Sequence, residues 1–192
     1  MKKKIWAPLF SLLAIAVLTG CAEMPPLNFS VPNVGPSSHR INAELRSLTV
    51  TLGRPDEKTG SMPVGIEVIV PMWKTALEEA LNRMVIFRDD SKNRVSMAVK
   101  IVKMNVPSAG IAMETTSAAR YEIIDRSNGD IIFTQVIDSE GIVPGGYAFV
   151  GAIRARESIN RAVQNNISLF LKALETVDLK KPMFPSGRKP SS

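Results

Sequence analysis

Cysteine and histidine each occur once in this 192-residue chain, and their positions decide what chemistry is open to it. His39 lies in a proline-rich stretch with no second histidine to join it. Neither a histidine-based metal cluster nor a nucleophile-histidine-acid triad is expected, and no metal or cofactor is assigned. Cys21 closes the stretch Leu18-Thr19-Gly20-Cys21, where an apolar leader ends, and has no partner for an intramolecular disulfide. Asp89, Asp90, Glu114, Glu122, Asp125, Asp130, Asp138 and Glu140 offer carboxylates for the acid-base pair of glycoside cleavage. They flank turns or fall on polar strand faces, so solvation is the expectation for them. In "EGIVPGGYAFVGA", Gly141, Gly145, Gly146 and Gly151 precede a helix, where free amides can hold an anion. That stretch lacks the lysine and hydroxyl of a phosphate loop and does not match the dinucleotide fingerprint. It is expected to be a flexible turn from sheet to helix with Tyr147 and Phe149 tucked beneath. Arg154 and Arg156 stand at the start of that helix, where the backbone dipole disfavours cations by a few tenths to about 1 kcal/mol. Compensation is expected from Glu157 and the acidic residues of the preceding hairpin, or else from a partner's acidic group or a lipid phosphate. Tyr147, Phe149, Arg154 and Arg156 are therefore the candidate partner-docking residues.

The leader explains the cysteine. Lys2, Lys3 and Lys4 precede an apolar run from Ile5 to Leu18, broken only by Pro8 and Ser11, the layout of a secretory signal peptide. The run is too short for a membrane-spanning helix, which needs roughly 20 apolar residues. Leu18 to Cys21 resemble the lipobox of bacterial lipoproteins. That resemblance implies cleavage before Cys21, diacylglycerol on its sulfur and acylation, for example with palmitate, of the new amino terminus. Two or more acyl chains give lasting attachment to a bilayer. Ala22 is not the aspartate that retains such proteins in the inner membrane of enteric bacteria, so the resemblance implies a lipid anchor on the periplasmic face of the outer membrane.

Composition sets the remaining bounds. The formal charge is +6, but half of that excess leaves with the three leader lysines, and no basic face interleaved with aromatics remains to suggest nucleic acid. Residues 21–42 hold four prolines among Ser, Asn and Gly without a helical or strand period. They are expected to form a tether, which fully stretched would reach roughly 70 Å. Residues 43–178 suit one domain with one core. Residues 179–192, "DLKKPMFPSGRKPSS" with the preceding aspartate, form a basic, proline-containing tail expected to be disordered.

Within the domain, Leu48, Val50 and Leu52 alternate with polar residues, the period of a strand. "VGIEVIV" places Val64, Ile66, Val68 and Val70 on one side and is expected to be a second strand, pairing with the first as a hairpin. From Pro71 the period becomes helical, with Met72, Trp73, Ala76, Leu77, Ala80, Leu81, Met84 and Val85 on one stripe. Val95, Met97, Val99 and Ile101 mark a further strand, and "NVPSAGIAMETTS" a loop or irregular edge. "AARYEIIDR" and "DIIFTQVID" flank Asn128 and Gly129, residues suited to the positive backbone angles of a tight hairpin. A helix from Gly151 to Val177 carries Ile159, Val163, Ile167, Phe170, Leu174 and Val177 inward. Two amphipathic helices with one sheet to cover imply an α+β two-layer sandwich, both helices on one face of a mostly antiparallel sheet of about five strands.

This layout, with the final segment "SEGIVPGGYAFVGAIRARESINRAVQNNISLFLKAL", resembles the YajG-type and TolB-amino-terminal-like periplasmic lipoproteins. The resemblance implies a non-enzymatic scaffold or accessory subunit of an envelope assembly, with the lipid bilayer and other envelope proteins or further copies of the chain as partners. An accessory role in lipid transport is the nearest alternative. An envelope enzyme such as an acyltransferase is a more distant one.

Overall fold

The structure, a computed structural model, describes residues 24–184. Cys21, the leader and the end of the basic tail lie outside the described residues. Four strands form one sheet in the order β1-β2-β3-β4: β1 Glu44–Leu52, β2 Arg94–Asn105, β3 Met113–Asp125 and β4 Ile131–Val143. Helix α1 spans Ile69–Met84 and α2 spans Gly151–Leu174. The architecture is the expected α+β sandwich with one strand fewer. β1 pairs parallel with β2, while β2-β3 and β3-β4 are antiparallel.

The missing strand is the expected hairpin partner of β1. "VGIEVIV" instead forms a short 3-10 turn at Ile66–Val68 and the first residues of α1. Alternation of apolar residues over so short a run does not distinguish a strand from the approach to a helix. Of the residues placed on its inner side, Val64 and Val68 are exposed and Ile66 is buried. β1 therefore reaches β2 by a helical crossover rather than a turn, which is what a parallel pair requires.

Elsewhere the sequence pattern and the structure agree closely. Trp73, Ala76, Leu77, Ala80, Leu81 and Met84 are buried on α1, and Val95, Met97, Val99 and Ile101 on β2. Val85 leaves the stripe: it takes a left-handed conformation, φ 49°, as the cap that ends α1, and is exposed. β3 begins earlier than expected, taking in Met113 to Ser117 from the supposed loop. In the β3-β4 turn only Gly129 has a positive φ, +81°, while the Asn128 side chain receives the backbone N–H of Asp130 at 2.9 Å. Asn128 thus contributes a side-chain acceptor, not the second positive angle.

Strand direction defines two ends. β1, β2 and β4 finish at the end where β3 begins, here called the upper end. The connections 53–68, 106–112 and 144–150 gather there, and both helices start from it. α1 packs on β1, α2 on β3 and β4, and the helices have little contact with each other.

The gap between the helices is filled by the segment expected to be a tether. Phe29, Val31 and Ile41 are buried in the core. The Asn28 N–H donates to Asn160 Oδ1 at 2.9 Å and Gln164 Nε2 donates to the Asn28 carbonyl at 2.9 Å, both on α2. Ser30 Oγ donates to Glu79 of α1 at 3.0 Å, and Arg83 donates to the Val31 carbonyl at 3.1 Å. Further along, Ser37 N–H reaches the Met84 carbonyl and Ser37 Oγ reaches Glu175. From Asn28 to Ser37 the chain therefore runs down between the helices as a strap, from near their starts to their ends. Prolines suppress regular periodicity without preventing burial of the apolar residues between them. The first part of the tail departs from expectation in the same way: Phe184 pairs through its backbone with Ile131 at the edge of β4.

A buried polar chain joins the layers. Trp73 Nε1 donates to Tyr121 Oη at 3.3 Å, Tyr121 Oη to Asn166 Oδ1 at 2.8 Å, and Asn166 Nδ2 to the Ile137 carbonyl at 2.7 Å. It links α1, β3, α2 and β4 in turn, so helices that barely touch are fixed relative to each other through the sheet. Tyr121 also stacks on Phe170, ring centroids 4.0 Å apart. Burial pushes the Tyr121 phenol well above its ordinary value, which keeps it a neutral donor.

Candidate docking surface

Tyr147, Phe149 and Arg154 lie at the upper end, where the connections 106–112 and 144–150 meet, whereas Arg156, two residues further along α2, faces a different side of the helix. The contact between the two connections is close: a β-carbon built on Gly145 would lie 2.6 Å from Ile111 Cγ2. Gly141 is not part of a flexible loop. It sits inside β4, where an added β-carbon would come within 2.2 Å of the Ser158 carbonyl oxygen and 2.4 Å of Ala162 N on α2. Glycine is required at that point because helix and strand cross there backbone to backbone. Beside it, the buried hydroxyls of Thr115 and Ser158 meet at 2.7 Å. The start of α2 is thereby fixed, and with it the connection before it.

Arg154 is a clamp on these connections. Its guanidinium donates to the Phe149 carbonyl at 3.0 Å, the Gly110 carbonyl at 3.1 Å and the Ala148 carbonyl. Its Nε is buried without a partner among the described residues. Backbone carbonyls, not the expected Glu157 or hairpin carboxylates, compensate its charge near the helix start. Glu157 pairs instead with Arg161 at 2.9 Å, and Arg161 lies 5.4 Å from the centre of the Tyr147 ring. Arg156 has no hydrogen-bond or ion-pair partner among the described residues.

The aromatic residues are not tucked beneath the turn. Phe149 is 102% exposed and Tyr147 48%, and sequence reasoning missed their neighbours Ile111 at 85% and Val150. Val64 and Val68, in the connection leading to α1, stand exposed at the same end. The available signal was that each of these residues sits in a connection among turn formers, outside any period that would bury it.

The other candidate residues are dispersed. His39 Nε2 lies 3.1 Å from the Val177 carbonyl, at the lower end. Asp90 is bound by Arg88, whose guanidinium holds the carboxyl below its usual range. Asp138 pairs with Lys103 at 2.7 Å on the outer face of the sheet. On that face Lys100 and Arg120 are cross-strand neighbours, and Glu57 from the β1-α1 connection lies between them, 2.6 Å from Lys100 and 3.9 Å from Arg120. The hydrogen bond from Lys100, helped by the Arg54 backbone N–H, lowers the Glu57 carboxyl from 4.5 to about 2. Among the described residues no cluster of three or more His, Cys, Asp or Glu side chains is placed to hold a metal. No helix there is long and apolar enough to cross a membrane.

No protein-family model and no curated protein matches the chain. Solved structures do resemble it. A Xanthomonas campestris protein of the DUF330 family superposes with a TM-score of 0.53 at 9% identity, over 78% of this chain and 92% of the other. A minor lipoprotein from Acinetobacter baumannii gives a TM-score of 0.40 at 11% identity, over 69% and 92%. A proposed lipoprotein from Caulobacter crescentus gives 0.41 at 15% identity, over 62% and 87%. At such identities what the chain shares with the Xanthomonas protein is its fold.

Proposed function

We propose that the chain is a lipoprotein of the bacterial envelope, held by acylated Cys21 on the periplasmic face of the outer membrane, and that it serves as a non-enzymatic scaffold or accessory subunit of the YajG-type and TolB-amino-terminal-like kind. The observation that carries this reading is the run Leu18-Thr19-Gly20-Cys21, only seven residues ahead of Asn28, which is hydrogen-bonded to the folded body. An acylation site placed there ties a whole domain to a bilayer. The side chains best suited to chemistry have structural work instead: His39 meets a backbone carbonyl, Arg154 binds three, and Asp90 and Asp138 are ion-paired.

An accessory role in lipid transport calls for an apolar groove able to shelter acyl chains. An open groove of about 550 Å³ runs beside β4, but Lys103, Asp138, Glu140 and Lys172 are among its lining residues. That charged lining favours the scaffold reading.

The test is chemical. Mass spectrometry of the mature protein should find diacylglycerol and an amide-linked acyl chain at Cys21, and Cys21→Ser should release the protein into the aqueous fraction. Crosslinking in intact envelopes should then capture a defined protein component. Capture of phospholipid alone would rule out the scaffold role while leaving the anchor in place.

A further inference from the structure

The strap changes how far the domain can stand from its anchor. A tether of residues 21–42 would have let it float roughly 70 Å away. With Asn28 fixed to α2, only six residues separate it from Cys21, and the seven steps of chain span at most about 25 Å when extended. Asn160, to which Asn28 is bonded, lies nine residues along α2 from Gly151, so about 14 Å below the upper end at 1.5 Å per residue. A chain climbing to that end has about 10 Å of reach left. Pro25 and Pro26 favour an extended path for it.

The end to which this short chain leads carries a group of exposed apolar side chains. Val64 and Phe149 are fully exposed, Ile111 is 85% exposed, and Val68 and Tyr147 stand about half out of the protein. They come from three separate connections brought to one end by strand direction. Arg156, free of partners among the described residues, lies one helical turn below. By contrast, among the described residues the outer sides of the helices offer only Leu169 as an exposed large apolar residue. A lateral approach of the body to a bilayer would therefore bury little.

We infer that the upper end is a membrane-contact face, which lies against the bilayer with Phe149, Ile111 and Val64 in the headgroup layer. This rests on the anchor reading, because acylated Cys21 brings the face within reach. The occupant is lipid rather than a protein partner because about 10 Å of free chain leaves no room for a folded protein between this end and the membrane. Loop-tip insertion adds apolar burial to the acyl anchor and fixes the orientation of the domain, turning the lower end and the sheet face toward the periplasm.

The experiment uses lipidated full-length protein reconstituted in phosphatidylethanolamine and phosphatidylglycerol vesicles, with and without brominated acyl chains. Tryptophan is introduced as Phe149→Trp at the upper end and as Met183→Trp at the lower end. Both positions are exposed, far-ultraviolet circular dichroism checks that each variant keeps its fold, since Met183 also accepts the Thr134 N–H, and the emission of buried Trp73 is subtracted using the unsubstituted protein. The Phe149→Trp signal should shift to the blue and fall by about half with brominated lipid, while the Met183→Trp signal stays unchanged. Equal quenching at both positions, or none at Phe149→Trp, overturns the inference. Mass analysis of the same samples separates the two readings. Acylated Cys21 with an unquenched Phe149→Trp removes the contact face alone, whereas unmodified Cys21 removes the anchor and the contact face with it.

Discussion

The two ends of the sheet are made from the same material, connections between strands and helices, and are finished differently. At the lower end polar side chains bind the backbone, and the apolar residues exposed there, Val85, Met183 and Phe184, stand 45%, 52% and 60% out. Ser91 and Asn93 donate to the Asn42 carbonyl, Asp125 accepts from Ser127, and His39 meets Val177. At the upper end the backbone is held just as firmly, by Arg154 and by the close crossing at Gly141, but the apolar side chains of Val64, Ile111 and Phe149 stand there at least 85% exposed. Looseness does not explain the exposure of Phe149 and Ile111, because their connections are clamped. A rigid presentation of apolar residues is what a surface awaiting a nonpolar neighbour requires.

The largest effect should follow from breaking the crossing that holds the upper end. In Gly141→Val the new β-carbon meets backbone atoms of α2, which cannot move aside as a flexible side chain could, so the helix must shift from the sheet. A loss of about 3 kcal/mol is expected, measured as a lowered urea midpoint.

The next effect falls on the link between layers. Asn166→Ala removes the acceptor of Tyr121 Oη and the donor to the Ile137 carbonyl, both buried. A loss of about 2 kcal/mol is expected. Because the strap still ties α1 to α2 while Trp73 and Tyr121 lose their shared polar chain, near-ultraviolet circular dichroism of Trp73 and Tyr121 should weaken more than the helical signal does.

These two residues also show what a sequence can reveal. The α2 stripe was legible because Val163, Ile167, Phe170 and Leu174 repeat at helical spacing, and the two-layer class followed from having two such stripes. Asn166 was not, since a polar residue between apolar ones has the same pattern whether it faces water or a buried tyrosine. Gly141 read as part of a glycine-rich loop because close approach of backbones depends on the tertiary crossing, not on neighbours in sequence. The strap was hidden for a related reason. Phe29, Val31 and Ile41 follow no period because an extended segment between two helices is shaped by their groove. Of the docking candidates, sequence marked Tyr147, Phe149, Arg154 and Arg156. Ile111 and Val64 come from distant connections that only the strand order brings to the same end.

Acid should sharpen the contrast between the ends and the open sheet face. Glu57 has a carboxyl lowered from 4.5 to about 2, so its stabilising contribution is fully present above pH 4.5 and is lost as pH falls toward 2. Glu57→Gln should lower stability at neutral pH by leaving Lys100 beside Arg120 unneutralised. It should also flatten the decline between pH 4.5 and 2, as followed by thermal melts across that range.

The smallest effect is the most discriminating, because it compares the ends directly. Ser37→Ala at the lower end removes an Oγ that donates to Glu175 and accepts the His39 N–H. About 1 kcal/mol of stability should go with it. Phe149→Ser at the upper end removes a far larger side chain, yet one that is already in water in the isolated domain. Its stability should change by less than about 0.5 kcal/mol. Thermal melts of the two variants in detergent-free buffer, on the unlipidated Cys21→Ser background, should therefore separate by a few degrees, with the larger deletion giving the smaller loss. If Phe149→Ser proves as destabilising as Ser37→Ala, the ring contributes to the fold itself, and the two ends differ less than their exposures imply.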